Sequence, residues 1–222
     1  MRILGIESSS RRGSVALLDG QRLIASLEHE QPNSHAELLL PLIERLLAEA
    51  GWPKSSLDRL GVGVGPGSFT GLRAGIALAE GLSVGLERPL VGVSSLLAMA
   101  HGALSEHPGP CCALLDARRS ELFAAVYGQD SAELRAPFAL PIPDLAAFLA
   151  ENGVLCVVGE VPGELPPGLI RASGPTLDLP HARWIAALAE ERTEASSPPE
   201  PQYVRGIGAT LPSLPRSACD PQ

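Results

Sequence analysis

Gly65-Pro66-Gly67-Ser68-Phe69-Thr70-Gly71-Leu72-Arg73 decides how the chain is read. The apolar stretch Leu60-Gly61-Val62-Gly63-Val64 leads into it as a strand, and a helix is expected from about Gly71 to Leu86. Glycine lacks a Cβ and suits a sharp bend or a close backbone approach. Pro66 fixes one φ angle. Thr70 or Ser68 offers a hydroxyl to cap the helix. A strand, a glycine-rich turn and a helix N-terminus together make an anion cradle, because free N–H groups and the helix dipole point the same way. A tight strand-to-helix connection with no ligand accounts for the same residues. The spacing is neither the dinucleotide Gly-x-Gly-x-x-Gly nor the Gly-Lys-Ser/Thr of a P-loop; the chain's only lysine is Lys54.

The helix running out of this loop carries Gly71, Gly75, Ala79 and Ser83 at successive i+4 positions. Glycine at this density weakens a helix, and close packing is the compensation. Either the same domain or a partner subunit could lie on the stripe.

Upstream, Arg2 to Glu7 is a strand, Ser8-Ser9-Ser10-Arg11-Arg12-Gly13 a polar turn, and Ser14 to Leu18 a second strand. Asp19-Gly20 is a hairpin signal, with a third strand at Leu23 to Leu27. The hydroxyl-rich first turn suits a phosphate, or is an ordinary solvated turn. Ser34-His35-Ala36-Glu37 fits a capping box. Leu39, Leu42, Ile43, Leu46, Leu47 and Ala50 follow at helical spacing up to Gly51. Pro41 is expected to kink or restart that helix. His35 has no second His, Cys or carboxylate at metal-ligand spacing on its face apart from the capping Glu37.

Downstream, Pro89 to Val93 is a strand and Ser94 caps a helix from Ser95 to about Ala103. Residues 105–110 are a cluster of breakers. Beyond them the pattern restarts: strand Cys111 to Leu115, turn Asp116-Ala117-Arg118-Arg119, strand Leu122 to Tyr127. A short helix (Asp144 to Glu151), a strand (Val154 to Val158), a proline-rich loop (Gly159 to Gly168) and an amphipathic helix (His181 to Glu191) complete it. The expected organisation is a first lobe at 1–104, a smaller second lobe at 105–205 and a loose tail at 206–222.

With 25 acidic and 17 basic groups and a net charge of −8, the chain is not expected to grip nucleic acid alone. Cys111, Cys112, Cys156 and Cys219 form neither a zinc pattern nor a disulfide framework. The sequence shows no charged-then-apolar leader and no apolar run long enough to span a bilayer. The expected setting is the cytoplasm, with no membrane partner.

The nine-residue motif at 65–73 resembles the signature of the bacterial TsaB (YeaZ) family, partners in making threonylcarbamoyladenosine on tRNA. Ile3 to Ser9, His35 to Pro41, Val93 to Leu96, Asp116 to Arg119 and Tyr203-Val204-Arg205 are similar to family positions in the same order. The resemblance implies an α/β, two-lobed actin-like fold of the sugar kinase/heat-shock/actin type, with a five-stranded sheet in each lobe. It implies a non-catalytic scaffold that dimerises with the transferase subunit TsaD, is joined by the ATPase TsaE, and works with TsaC, which supplies the adenylate. It would touch tRNA only through the complex, and could homodimerise when alone. The implied partner interface is His35, Glu37, Leu38, Leu42, Gly71, Leu72, Gly75, Ala79 and Ser83. No cofactor is expected to bind firmly; weak ATP or ADP at the subunit interface has Ser8, Ser9, Ser68 and Arg73 as candidates.

Where TsaD carries a metal-holding His-x-x-x-His pair, the resemblance places Ser95 and Met99, which suit no such metal. The second-lobe phosphate turn is Asp116-Ala117-Arg118-Arg119, without glycine, and the adenosine loop is Gly159-Glu160-Val161-Pro162, where the family tends to Gly-Asp-Gly-Ala. Glu7 stands for an aspartate and Glu80 for a lysine. The nucleotide cleft therefore looks degraded, and the 65–73 loop becomes a rigid elbow that sets the striped helix for another subunit. The alternative function is a stand-alone ATPase or small-molecule kinase using Asp116. A peptidase lacks any visible catalytic arrangement.

Overall fold

The computed structural model describes residues 1–31, 34–192 and 198–204. The expected tail at 206–222, Arg205 and Cys219 lie outside the described residues.

The first sheet is built from β1 (Arg2–Glu7), β2 (Gly13–Asp19), β3 (Arg22–His29), β4 (Arg59–Gly63) and β5 (Leu90–Val93), in the order β3-β2-β1-β4-β5. The second has β6 (Cys111–Asp116), β7 (Glu121–Tyr127), β8 (Glu133–Pro141), β9 (Cys156–Gly159) and β10 (Ile170–Ala172). Read from its far edge, its order is β8-β7-β6-β9-β10, the same topology again. In each sheet the central strand pairs antiparallel with the next strand and parallel with one that follows a helix. The strand-turn-strand echo in the sequence is thus a repeated sheet. β8 escapes a sequence reading because it carries Glu133, Arg135 and Pro137. It is an edge strand, where proline and charge are tolerated.

Among the described residues, five α-helices cover the sheets: α1 (His35–Ala50), α2 (Phe69–Leu86), α3 (Ser95–Leu104), α4 (Leu145–Glu151) and α5 (Ala182–Glu191). Strand alternation sorts the core into layers. On β1, Leu4 and Ile6 join Leu39, Ile43 and Leu46 of α1 and Ile76 of α2. Ile3, from the other face, joins α3 and α5. On β6, Cys111, Ala113 and Leu115 meet the same α3–α5 layer, while Cys112 and Leu114 face Leu145, Phe148 and Leu149 of α4. One layer of two helices therefore lies between the sheets. This amends the cut at 104/105: α5, from the second half of the chain, packs on β1, β4 and β2, while α3 packs on β6. Gly5 makes the close approach of α5 possible, since a Cβ there would lie 2.2 Å from Ala182 O.

One helix expectation is corrected, and of the kink or restart expected at Pro41 the restart is excluded. Ser34 stands at the α1 N-cap, but its side chain makes no capping bond; its carbonyl accepts from the Glu37 and Leu38 amides instead. Pro41 does not restart the helix, which runs unbroken over 35–50. Pro41 is exposed, so the carbonyl it leaves without a helical partner lies on the water side.

Candidate functional site

The cleft forms where five segments meet: the first turn, the N-terminal end of α1, the N-terminal end of α2, the second-lobe turn after β6, and Glu160 after β9. Its volume is about 470 Å³.

The 65–73 loop is pinned from two sides. Ser68 N–H donates to Ser9 O at 2.6 Å, and Ser95 N–H donates to Gly65 O at 2.8 Å. Gly65 has φ +97°, and a Cβ on Gly67 would lie 2.1 Å from Ser9 O. Ser68, one of the two expected caps, accepts from Gly71 N–H. The loop is an elbow in the literal sense, and it also presents the α2 N-terminus to the cleft through Ser68, Phe69 and Thr70.

Ser8 and Ser9 separate in role. Ser8 Oγ donates to Gly71 O at 2.9 Å and is sealed beneath α2. It is therefore a fastener, not a phosphate ligand. Ser9 lines the cleft, while its hydroxyl is buried and turned toward Glu7, whose pKa it helps to hold down. Arg73, expected at a phosphate, points elsewhere. One turn beyond Phe69, it stacks over that ring at 3.9 Å and donates to the Tyr203 hydroxyl at 3.2 Å on the outside of α2.

The small-residue stripe faces inward. Gly71 abuts Ser8 O, Gly75 abuts Ser8 Oγ, and Leu72 and Ala79 have no exposed surface. Ser83 donates to Arg88 O at the helix end. Gly71, Leu72, Gly75 and Ala79 are thus corrected as partner-contact residues: the first turn and sheet already occupy that face. The outward face of α2 carries Phe69, Arg73, Ala77, Gly81 and Val84, with Val84 80% exposed. On α1, Glu37 is exposed and Leu38 and Leu42 are half-buried.

His35 is buried, not a contact surface. Its Nε2–H donates to Ser10 O at 3.0 Å, leaving Nδ1 to accept from His29 Nε2–H at 3.2 Å. That chain orders the first turn. Burial, then proximity to His35, lowers the His29 pKa below its ordinary value.

Glu7 is fully enclosed at the end of β1. It accepts from Ser9 N–H at 2.5 Å and from Ser95 Oγ–H at 2.8 Å. Burial raises its pKa, against the lowering effect of those bonds. Met99, on the next turn of α3, packs its methyl beside Gly159. Ser95 and Met99 are consumed by structure.

In the second lobe, Arg118, Arg119 and Ser120 all have positive φ, a costly run for residues bearing Cβ atoms. Asp116 turns its carboxylate to this turn, accepting from Arg118 N–H at 2.8 Å and pairing with its guanidinium at 3.3 Å. Glu160 reaches across: one oxygen accepts from Asp116 N–H at 2.9 Å, the other from Arg11 of the first turn. Sequence reasoning noted Glu160 only as a departure and missed Arg11 as its partner; 149 residues separate them.

Among the described residues, no group of three or more His, Cys, Asp or Glu side chains is placed to hold a metal. Among the described residues, no helix is long and apolar enough to cross a membrane.

The family model described as TsaD, tRNA N6-adenosine threonylcarbamoyltransferase, matches residues 24–137. The Escherichia coli tRNA threonylcarbamoyladenosine biosynthesis protein TsaB is 39% identical over 131 residues, 59% of this chain and 56% of that protein. The chain thus spans little more than half the length of that curated relative. The solved structure of YeaZ from Pseudomonas aeruginosa superposes with a TM-score of 0.73 at 30% identity, covering 90% of this chain and 98% of that one. The ethanolamine utilization protein EutJ from Carboxydothermus hydrogenoformans shares the fold, with a TM-score of 0.57 at 13% identity.

Proposed function

This chain belongs to the TsaB (YeaZ) family, and on that premise we propose that it is a non-catalytic subunit in forming threonylcarbamoyladenosine on tRNA. Its partner in this reading is the threonylcarbamoyltransferase TsaD, with TsaE joining the pair, TsaC supplying the adenylate, and tRNA met only through the complex. The observation that carries the reading is the fate of Ser95 and Met99. One is bonded to Glu7 and the other packed beside Gly159, so the chain offers no catalytic metal pair at those positions. Asp116, needed for a stand-alone ATPase or kinase, is tied to Arg118.

The surface we assign to the partner is the outward face of α2, Ala77, Gly81 and Val84, with the neighbouring Glu37, Leu38 and Leu42 of α1. Small residues let another helix approach closely, and Val84 is a large apolar side chain left in water. Alone, two copies could pair through the same face. Weak ATP or ADP binding belongs to the assembled subunit interface in this reading.

Co-purification from the native host tests it. TsaD is expected in the eluate with the native chain and absent with Val84→Arg. A native chain that brings down no transferase, or robust ATP turnover by the isolated chain that Asp116→Asn abolishes, overturns the reading.

A further inference from the structure

Residues 198–203 return to the first lobe as a strap along the outward side of α2. Gln202 N–H donates to Val64 O at 2.7 Å, Pro199 lies against Gly92 of β5, and the Tyr203 ring meets Phe69 with centroids 5.4 Å apart. Between strap and helix runs an open trough of about 430 Å³. Its floor is apolar, with Ile76 and Ala77 from the helix and Pro199 and Pro201 from the strap. Glu80 of the helix and Glu200 of the strap also line it. Arg73 stands at the trough too, but its guanidinium is engaged by the Phe69 ring and the Tyr203 hydroxyl. Among the described residues, neither Glu80 nor Glu200 has an ion-pair or hydrogen-bond partner for its carboxylate. Glu80 is half-buried, in apolar surroundings that solvate a charge poorly.

We propose that this trough seats a basic side chain of the partner subunit, with its stem on the prolines and its charged head at Glu80 and Glu200. Charge complementarity carries the assignment. A long cationic side chain matches both parts of the trough: its methylenes cover the apolar floor, and its cation meets the two unpaired carboxylates. An acidic or neutral side chain would leave both carboxylates uncompensated as water is expelled. The trough adjoins the face of Ala77, Gly81 and Val84, so one element of the partner can cover both. The strap is then part of the docking surface, and not only a terminal segment packed on α2. This inference rests on the partner-subunit reading and adds the chemistry that the partner must bring to it.

Titration of the full chain with the purified transferase subunit of the same host, at several salt concentrations, tests it. Glu80→Gln is expected to weaken binding about fivefold, and Glu80→Lys, which sets like charges against each other, about a hundredfold. Affinity of the native chain should fall with added salt more steeply than that of the double variant Glu80→Gln, Glu200→Gln. Glu151→Lys makes the same change in net charge at an exposed residue of α4, and should bind as the native chain does. Native binding together with equal binding by Glu80→Lys and by the double variant overturns the proposal while the partner reading stands. An equal loss in Glu80→Lys and Glu151→Lys also overturns it, since net charge alone then accounts for the effect. A native chain that binds no transferase overturns the partner reading, and the proposal with it.

Discussion

Ser95 Oγ–H donates to Glu7 Oε2 across 2.8 Å, joining residues 88 positions apart in a pocket closed to water. Ser95 in turn meets Gly65 through both its backbone and its hydroxyl. The end of β1, the elbow loop and the start of α3 are thus held at one buried point. A Cβ on Gly63 would strike Glu7 Oε2 at 2.1 Å, so the carboxylate fits only because β4 carries glycine there.

Because burial raises the Glu7 pKa above its ordinary 4.5, the folded state holds this proton more tightly than the unfolded chain. Its contribution is fully present below 4.5 and is lost as pH rises from there through the folded pKa. Glu7→Gln mimics the protonated form. Thermal unfolding should show the variant more stable than the native chain at about pH 8, with the difference shrinking at acid pH. Equal stabilities across the range would refute a charged-state penalty at Glu7.

His181 gives the opposite slope. Burial, followed by the charges of Arg12 and Arg183, lowers its pKa to about 4 from 6.5. Glu28 lies 3.7 Å away and would favour the charged ring, but it is half exposed and does not outweigh burial. Stability from this residue is present above 6.5 and lost as pH falls toward 4. His181 also caps α5, accepting from Arg183 N–H. Asparagine keeps the cap without titrating. His181→Asn should therefore flatten the acid arm of the stability profile measured by urea unfolding.

The inward stripe separates two glycines of α2. Gly75→Ala forces a methyl against Ser8 Oγ and should cost about 1–3 kcal/mol. A methyl at Gly81 meets nothing, so Gly81→Ala should stabilise the helix by about 0.5–1 kcal/mol. Chemical denaturation of the two variants reads both signs; a Gly75→Ala chain as stable as native would move the stripe to the surface.

Arg59 Nη1 donates to Ala189 O at 2.8 Å and also reaches the Glu190 and Arg192 carbonyls, capping α5 from β4. Hydrogen bonds from a charged donor of this kind are worth about 1.5–3 kcal/mol. Arg59→Ala should lower stability by that amount, with the earliest loss of amide protection in α5 by hydrogen exchange.

The sequence by itself determined the elements along the chain. Alternation and glycine punctuation located β1, β2, β4, α2 and α5, and the motif at 65–73 with its five companions identified the family. These are local or ordered-along-the-chain signals, and they survive without knowledge of contacts. Only the tertiary structure decided which way each element faces. The stripe Gly71-Gly75-Ala79 has the same spacing whether it meets a partner or Ser8, since periodicity records that one face is small, not what covers it. α5 crosses to the first sheet because its apolar face fits beside Gly5 and Gly61. The Arg11–Glu160 pair, like Glu7–Ser95, joins residues whose separation leaves no trace in composition or spacing. Long-range closure of that kind is set by packing the two sheets onto one shared helical layer.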